Sequence, residues 1–184
     1  MADASGIAVE VVAPLHVATL RYFEPAGPFA AAVAHIMETP LPPPLTAVAK
    51  DAAGVILAWL RPTETLLLCE TEAALADLRQ RLAQVPGGHM VDLSGGVQVL
   101  RLHGARVGEL LDRLGSTAVA LPLNGARRGR LADVPVLALS VRAGEVLLVV
   151  DRACAGHLSG WIDATLADLA MAHGPILGDH EGHG

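Results

Sequence analysis

From residue 46 to residue 150 the chain is a succession of short apolar runs, most of them separated by gaps too short to carry a strand back across a sheet. "TAVAK" and "VILAWL" flank "DAAG", "TLLLC" follows after "RPTE", and "VPVLALSV" and "EVLLVV" flank "RAGE". Parallel neighbours need a crossover of about a dozen residues or more, so gaps of hairpin length impose antiparallel pairing. A doubly wound nucleotide-binding fold does not fit, because no run is followed by a glycine-rich loop that opens a helix.

Helical periodicity fills the longer intervals. Thr71 is placed to cap a helix in which Leu75, Leu78 and Leu82 share a face and which "PGG" at 86–88 stops. Its hydroxyl accepts from an orphan backbone N–H, and Glu72 faces the positive end of the helix dipole. Residues 91–114, "VDLSGGVQVLRLHGARVGELLDRL", continue with the strand "HMVDLS", a Gly95-Gly96 hairpin turn whose residues can take positive φ, and the strand "VQVLRLHG". A helix then runs from about Ala105, with Val107, Leu110, Leu111 and Leu114 on one face, to Gly115. Residues 116–131 read as a loop. Asp151 caps a long helix that buries Cys154, Leu158, Trp161, Ile162, Thr165, Leu166 and Leu169 and ends at Gly174-Pro175.

This order predicts an α+β fold: two layers, mostly antiparallel sheets with helices packed on one face. Residues 45–174 form the predicted domain. Residues 1–44 read as an N-terminal leader with a strand at "IAVEVVA", a short helix at "PFAAAVAHIM" near Pro28, and a stiff Pro-rich linker at "TPLPPP". Residues 175–184 read as a disordered tail.

Composition bounds the partners. Hydrophobic residues make up 52% and charged residues 17% of the chain, against a usual charged share of about 25%. Such a surplus predicts a subunit with a large obligate interface; a codon bias, also suggested by a single lysine, Lys50, among 13 basic residues, is the other source. The net charge of −6 disfavours nucleic acid and anionic membranes. With neither a signal peptide pattern nor an apolar run near the roughly 20 residues of a membrane span, the expected location is the cytoplasm.

Few residues invite chemistry. Asp92 and Ser94 beside Gly95-Gly96 resemble an active turn, but the helix N-terminus that a phosphate cradle needs is missing, so they are expected to hold the turn. No G-x-S-x-G elbow is present. Cys69 and Cys154 sit in apolar segments and read as buried free thiols. His180 and His183, with Asp179 and Glu181, read as tail composition and not as a metal site. The aromatics are too few and dispersed to stack bases, and Trp161 is expected in the core. Arg127, Arg128 and Arg130, in the locally basic "ARRGR", have the strongest claim: on a loop they would grip a carboxylate or phosphate, pair with acids of a partner protein, or simply be solvated.

Set out in this way, the chain resembles the gamma subunit family of heterotetrameric sarcosine oxidase, itself similar to the folate-binding aminomethyltransferase of the glycine cleavage system. The resemblance is carried by "VDLSGGVQVLRLHGARVGELLDRL", "RLADVPVLALSV", "EVLLVVDRACAGHLSGWIDATLADL" and "LRPTETLLL", over roughly residues 55–170. It implies a small α+β subunit that binds no cofactor itself and packs mainly on an alpha subunit. FAD, FMN, NAD, zinc and tetrahydrofolate would lie in the alpha, beta and delta partners. The chain departs from the family pattern at Thr65, where Trp is common, and at Gly125, Ala126 and Gly129, and no catalytic role carries over to Asp133. The implied role is a non-catalytic subunit of an oxidoreductase complex that demethylates sarcosine or a related N-methyl amino acid; the alternative is an independent folate-binding one-carbon transferase.

Overall fold

The computed structural model describes residues 6–13, 15–115 and 121–172. Among these residues ten strands and four α-helices follow in the order β1 (Ala8–Val11), β2 (His16–Tyr22), α1 (Pro28–Ile36), β3 (Ala47–Lys50), β4 (Val55–Arg61), β5 (Glu64–Cys69), α2 (Glu72–Leu82), β6 (Gly88–Asp92), β7 (Val97–His103), α3 (Val107–Arg113), β8 (Gly125–Leu131), β9 (Val134–Arg142), β10 (Glu145–Asp151) and α4 (Arg152–Met171). They make two five-stranded sheets, one ordered β1-β7-β10-β9-β8 and the other β3-β4-β5-β2-β6. Every pairing is antiparallel, as the short gaps require.

Each sheet carries helices on one face, as predicted, but the two-layer unit occurs twice and the units pack sheet to sheet. Leu100, Leu102, Leu148 and Val150 of the first sheet meet Leu110, Leu158, Ile162 and Leu169 of α3 and α4. Leu20, Leu57 and Leu67 of the second meet Phe29, Val33, Leu75 and Leu78 of α1 and α2. Between the sheets, Val17, Ala58, Leu66 and Leu68 face Val99, Leu139, Leu147 and Val149. A strand buried on both faces has no polar side to show, and "ETLLLC" is accordingly buried at all six positions of β5. The four layers, α–β–β–α, thus take up part of the apolar surplus internally.

Three sequence expectations change here. The supposed leader is part of the sheets: β2, left unassigned by the sequence reading, lies between β5 and β6, and β1 pairs with β7. A boundary at residue 44 is therefore no structural division. Gly95-Gly96 is not a hairpin turn, since β6 and β7 belong to different sheets and neither glycine takes a positive φ. The pair sits in a tight turn, closed by Gly96 N–H on the Leu93 carbonyl at 2.8 Å, that passes the chain from one sheet to the other. Finally, the latter half of the predicted loop 116–131 is β8, paired with β9 along its whole length; residues 116–120 lie outside the described residues, as does the 175–184 tail.

The predicted helix caps are present. Thr71 Oγ1 accepts from Ala74 N–H at 3.2 Å, and Asp151 Oδ1 accepts from Ala153 N–H at 2.8 Å. At Gly88 a Cβ would collide with the Phe29 ring and the Arg21 carbonyl, so glycine there lets α1 close onto the sheet. Trp161, expected in the core, is 53% exposed: Leu158 and Ile162 take the inward positions of α4, and Trp161 is rotated outward, edge-on to His157.

Candidate functional site

The layer between the sheets opens at its two ends, and the two mouths differ. At the end marked by Arg101 and Arg142 the chain pairs its own charges, although Arg101 Nε and Glu145 Oε1 are buried without a hydrogen bond. Arg142 Nη2 lies 2.6 Å from Asp51 Oδ1 and Arg142 Nη1 lies 3.6 Å from Glu145, while Arg101 reaches Glu10 at 2.8 Å and Glu145 at 3.4 Å. The gap left there is only about 40 Å³.

At the other end the sheets enclose a cavity of about 430 Å³. Alternation along each strand decides what lines it. On β2, Ala18, Leu20 and Tyr22 turn to the helices, so Val17, Thr19 and Arg21 turn to the facing sheet. β5 contributes Glu64 and Leu66 in the same way, and β8 contributes Arg128. Glu64, 5% exposed, accepts on Oε1 from Arg21 Nε at 3.0 Å, and its Oε2 lies 2.7 Å from Arg61 Nε. Thr19 lines the cavity, yet its buried Oγ1 has no hydrogen-bond partner. An unmet buried hydroxyl costs about 1–3 kcal/mol.

The arginine triplet is split by β8. Arg128 points into the intersheet cavity, whereas Arg127, one residue earlier, faces the opposite side. Arg130 donates to the Asp133 carbonyl across the tight turn to β9. In that turn Ala132 and Asp133 have φ of 46° and 63°, and the Asp133 carboxylate is wholly exposed. The triplet is thus on an edge strand and not on a loop, where charge also deters edge-to-edge pairing. Among the described residues Arg128 has neither an ion pair nor a hydrogen bond.

Asp92 and Ser94 hold the corner between the sheets. Asp92 Oδ1 accepts from Ser94 N–H at 2.9 Å, its Oδ2 takes a 2.6 Å bond from Arg79, and Ser94 Oγ accepts from Val17 N–H at 3.0 Å. The Ser94 backbone N–H first, then its hydroxyl, and Arg79 keep the Asp92 carboxyl below the usual carboxylate range. Arg152, the first residue of α4, donates through Nε to the Gly95 carbonyl at 2.9 Å and through Nη2 to those of Ser94 and Val97 at 3.2 and 3.0 Å. Every group here is engaged in joining β6, β7, β2 and α4.

Cys69 is buried beside a cleft of about 160 Å³ between α1 and α2, and burial pushes its thiol up to about 11; Cys154 is half-buried. No group of three or more metal-ligating side chains occurs among the described residues, and the His180 and His183 cluster lies outside them. No described helix is long and apolar enough to cross a membrane. At the starts of the helices that follow β5 and β10, one N–H of each is taken by the Thr71 and Asp151 side chains.

Thr19, Arg21, Arg61 and Glu64 escaped the sequence reading. The alternation in "HVATLRY" and the Arg61-to-Glu64 spacing across "RPTE" were the available signals.

Comparison with known proteins fits this geometry. The sarcosine oxidase gamma subunit of Corynebacterium sp. (strain U-96) is 31% identical over 147 residues, 77% of this chain and 71% of that one. The solved heterotetrameric sarcosine oxidase from Corynebacterium sp. U-96, in complex with pyrrole 2-carboxylate, contains a chain that superposes with a TM-score of 0.81 at 26% identity, over 92% of this chain and 88% of that one. Aminomethyltransferase T of the glycine cleavage system from Bartonella henselae shares the fold, with a TM-score of 0.62 at 16% identity over 87% of this chain and 46% of its own. The description "Sarcosine oxidase, gamma subunit family" matches residues 23–167, and the chain belongs to that family.

Proposed function

We propose that the chain is the gamma subunit of a heterotetrameric, flavin-dependent oxidase of sarcosine or a related N-methyl amino acid. It is non-catalytic by itself, packs on the alpha subunit in a cytoplasmic complex, and supports oxidative demethylation coupled to tetrahydrofolate. FAD, FMN, NAD, zinc and the folate site belong to the alpha, beta and delta subunits.

The observation that carries this reading, given the family, is the outer face of α4. Ala155, Leu158, Ile162, Leu166 and Leu169 bury the inner face. The outer face presents Gly156, Gly160 and Ala164, beside Trp161 and a Met171 that is 72% exposed. Two glycines inside an exposed helix cost about 1 kcal/mol each relative to alanine, and among the described residues nothing lies within 4 Å of where their side chains would begin. Small residues beside an exposed tryptophan suit close approach by a second protein, with the tryptophan as anchor.

The test is affinity purification from the native cell. Larger flavoprotein subunits and a flavin absorbance spectrum are expected with the wild-type chain, and purification of a lone, stable monomer would refute the reading. Gly160→Leu and Trp161→Ala should each release the partners while the chain stays folded.

A further inference from the structure

We propose that the open end of the intersheet layer is a binding site for a small organic monoanion with a flat apolar body. The inference goes beyond the role of the chain in a complex and does not depend on it.

The cavity, about 430 Å³, lies in the roughly 300–1,000 Å³ range of small-molecule sites. Its shape follows from its walls. Leu60 and Leu66 on one sheet face Leu137 and Val149 on the other, and two sheets packed face to face leave a slot and not a sphere. A planar body fits such a slot.

Charge sets the polar end. Arg21 and Arg61 are both held by Glu64, Asp151 is engaged with Ala153 N–H at the start of α4, and Arg130 turns back onto Asp133. Around the mouth three guanidinium groups, Arg21, Arg61 and Arg128, stand against two carboxylates, Glu64 and Asp151. The excess is one positive charge, and the guanidinium without a partner among the described residues is Arg128. A carboxylate or a similar monoanion matches that fork. Deeper in, the Thr19 hydroxyl is shut off from solvent and unpaired. On this proposal the hydroxyl, whose residue lines the cavity, turns about the Cα–Cβ bond to meet a polar atom at the far end of the ligand.

An acidic side chain of a partner protein would satisfy the same arginine. The depth of the slot and the buried hydroxyl favour the small molecule, because a rim ion pair uses neither.

The full-length chain is titrated with 2-naphthoate, neutral 2-naphthamide and 6-hydroxy-2-naphthoate, by calorimetry. Saturable binding of naphthoate is expected, with the amide about tenfold weaker. Arg128→Gln should abolish that preference, while Arg127→Gln, on the opposite face of the same strand, should leave it intact. The hydroxynaphthoate should bind about fivefold tighter than naphthoate to the wild type and equally to Thr19→Val. Absence of saturable binding overturns the proposal, as does equal naphthoate affinity in the Arg127 and Arg128 variants. Naphthoate bound by the free chain but excluded once partner subunits are added also overturns it, in favour of a protein occupant.

Discussion

The two mouths of the intersheet layer share strands β4, β5, β7, β9 and β10, with β2 and β8 added at the open one, and they end in opposite electrostatic states. Where Arg101 and Arg142 lie, three acids surround two guanidinium groups and the sheets nearly close. Where Arg128 lies, two of the three guanidinium groups share one carboxylate and the sheets stay apart. A closed end needs only side chains long enough to meet. Both ends bury polar atoms that lack a hydrogen bond, Thr19 Oγ1 at the open end and Arg101 Nε and Glu145 Oε1 at the closed one, but among the described residues the open end alone adds a guanidinium with no ion pair and a cavity beside it large enough for a ligand.

The comparison is broken most severely by emptying the layer that the two ends share. Leu139→Ala, at a fully buried position, is expected to cost about 2–5 kcal/mol, read as a shift in the urea midpoint. Next comes Glu64→Gln, which leaves Arg21 and Arg61 without their common acid. A loss of about 1–3 kcal/mol is expected, together with tighter binding of 2-naphthoate as the open end becomes more positive. If anion affinity fell instead, the charge count at that mouth would be wrong. At the closed end, Arg142→Gln breaks the pair with the exposed Asp51 and the longer one with Glu145, which keeps Arg101, so a loss of about 1 kcal/mol or less that shrinks in high salt is expected. The smallest effect concerns the corner beside the open end. The Asp92 carboxyl is held below its ordinary value, so its contribution is present above the unfolded value of about 3.9 and disappears as the pH falls through the lower folded value. The stability difference between wild type and Asp92→Asn should thus be flat from neutrality to about pH 5 and vanish in stronger acid.

Much of the architecture was legible because local signals and tertiary structure agree. The hairpins β3–β4, β4–β5 and β9–β10 follow directly from gap length, and the caps Thr71 and Asp151 from side-chain chemistry. β8 was not legible: "GARRGRL" has two glycines and three arginines, poor strand formers, and becomes extended through its pairing with β9 and the bridge from Thr46 to Gly125. The Gly95-Gly96 turn misled because a hairpin and a passage between sheets look alike when only the flanking strands are read. Of the open mouth, Arg128 was singled out from sequence, although on the wrong element. Its companions stayed hidden because β2 had been assigned to a leader, and alternation has meaning only once a strand is recognised.

The pairing of β1 with β7 has a consequence for the newborn chain. Ala8 lies opposite His103, and β2, next in order, waits for β5, with His16 opposite Cys69. As the polypeptide leaves the ribosome, its second strand finds a neighbour before its first, and β1 remains an unmatched ribbon until β7 has been made. β1 therefore joins its sheet later than β2 does, although it precedes β2 in the chain.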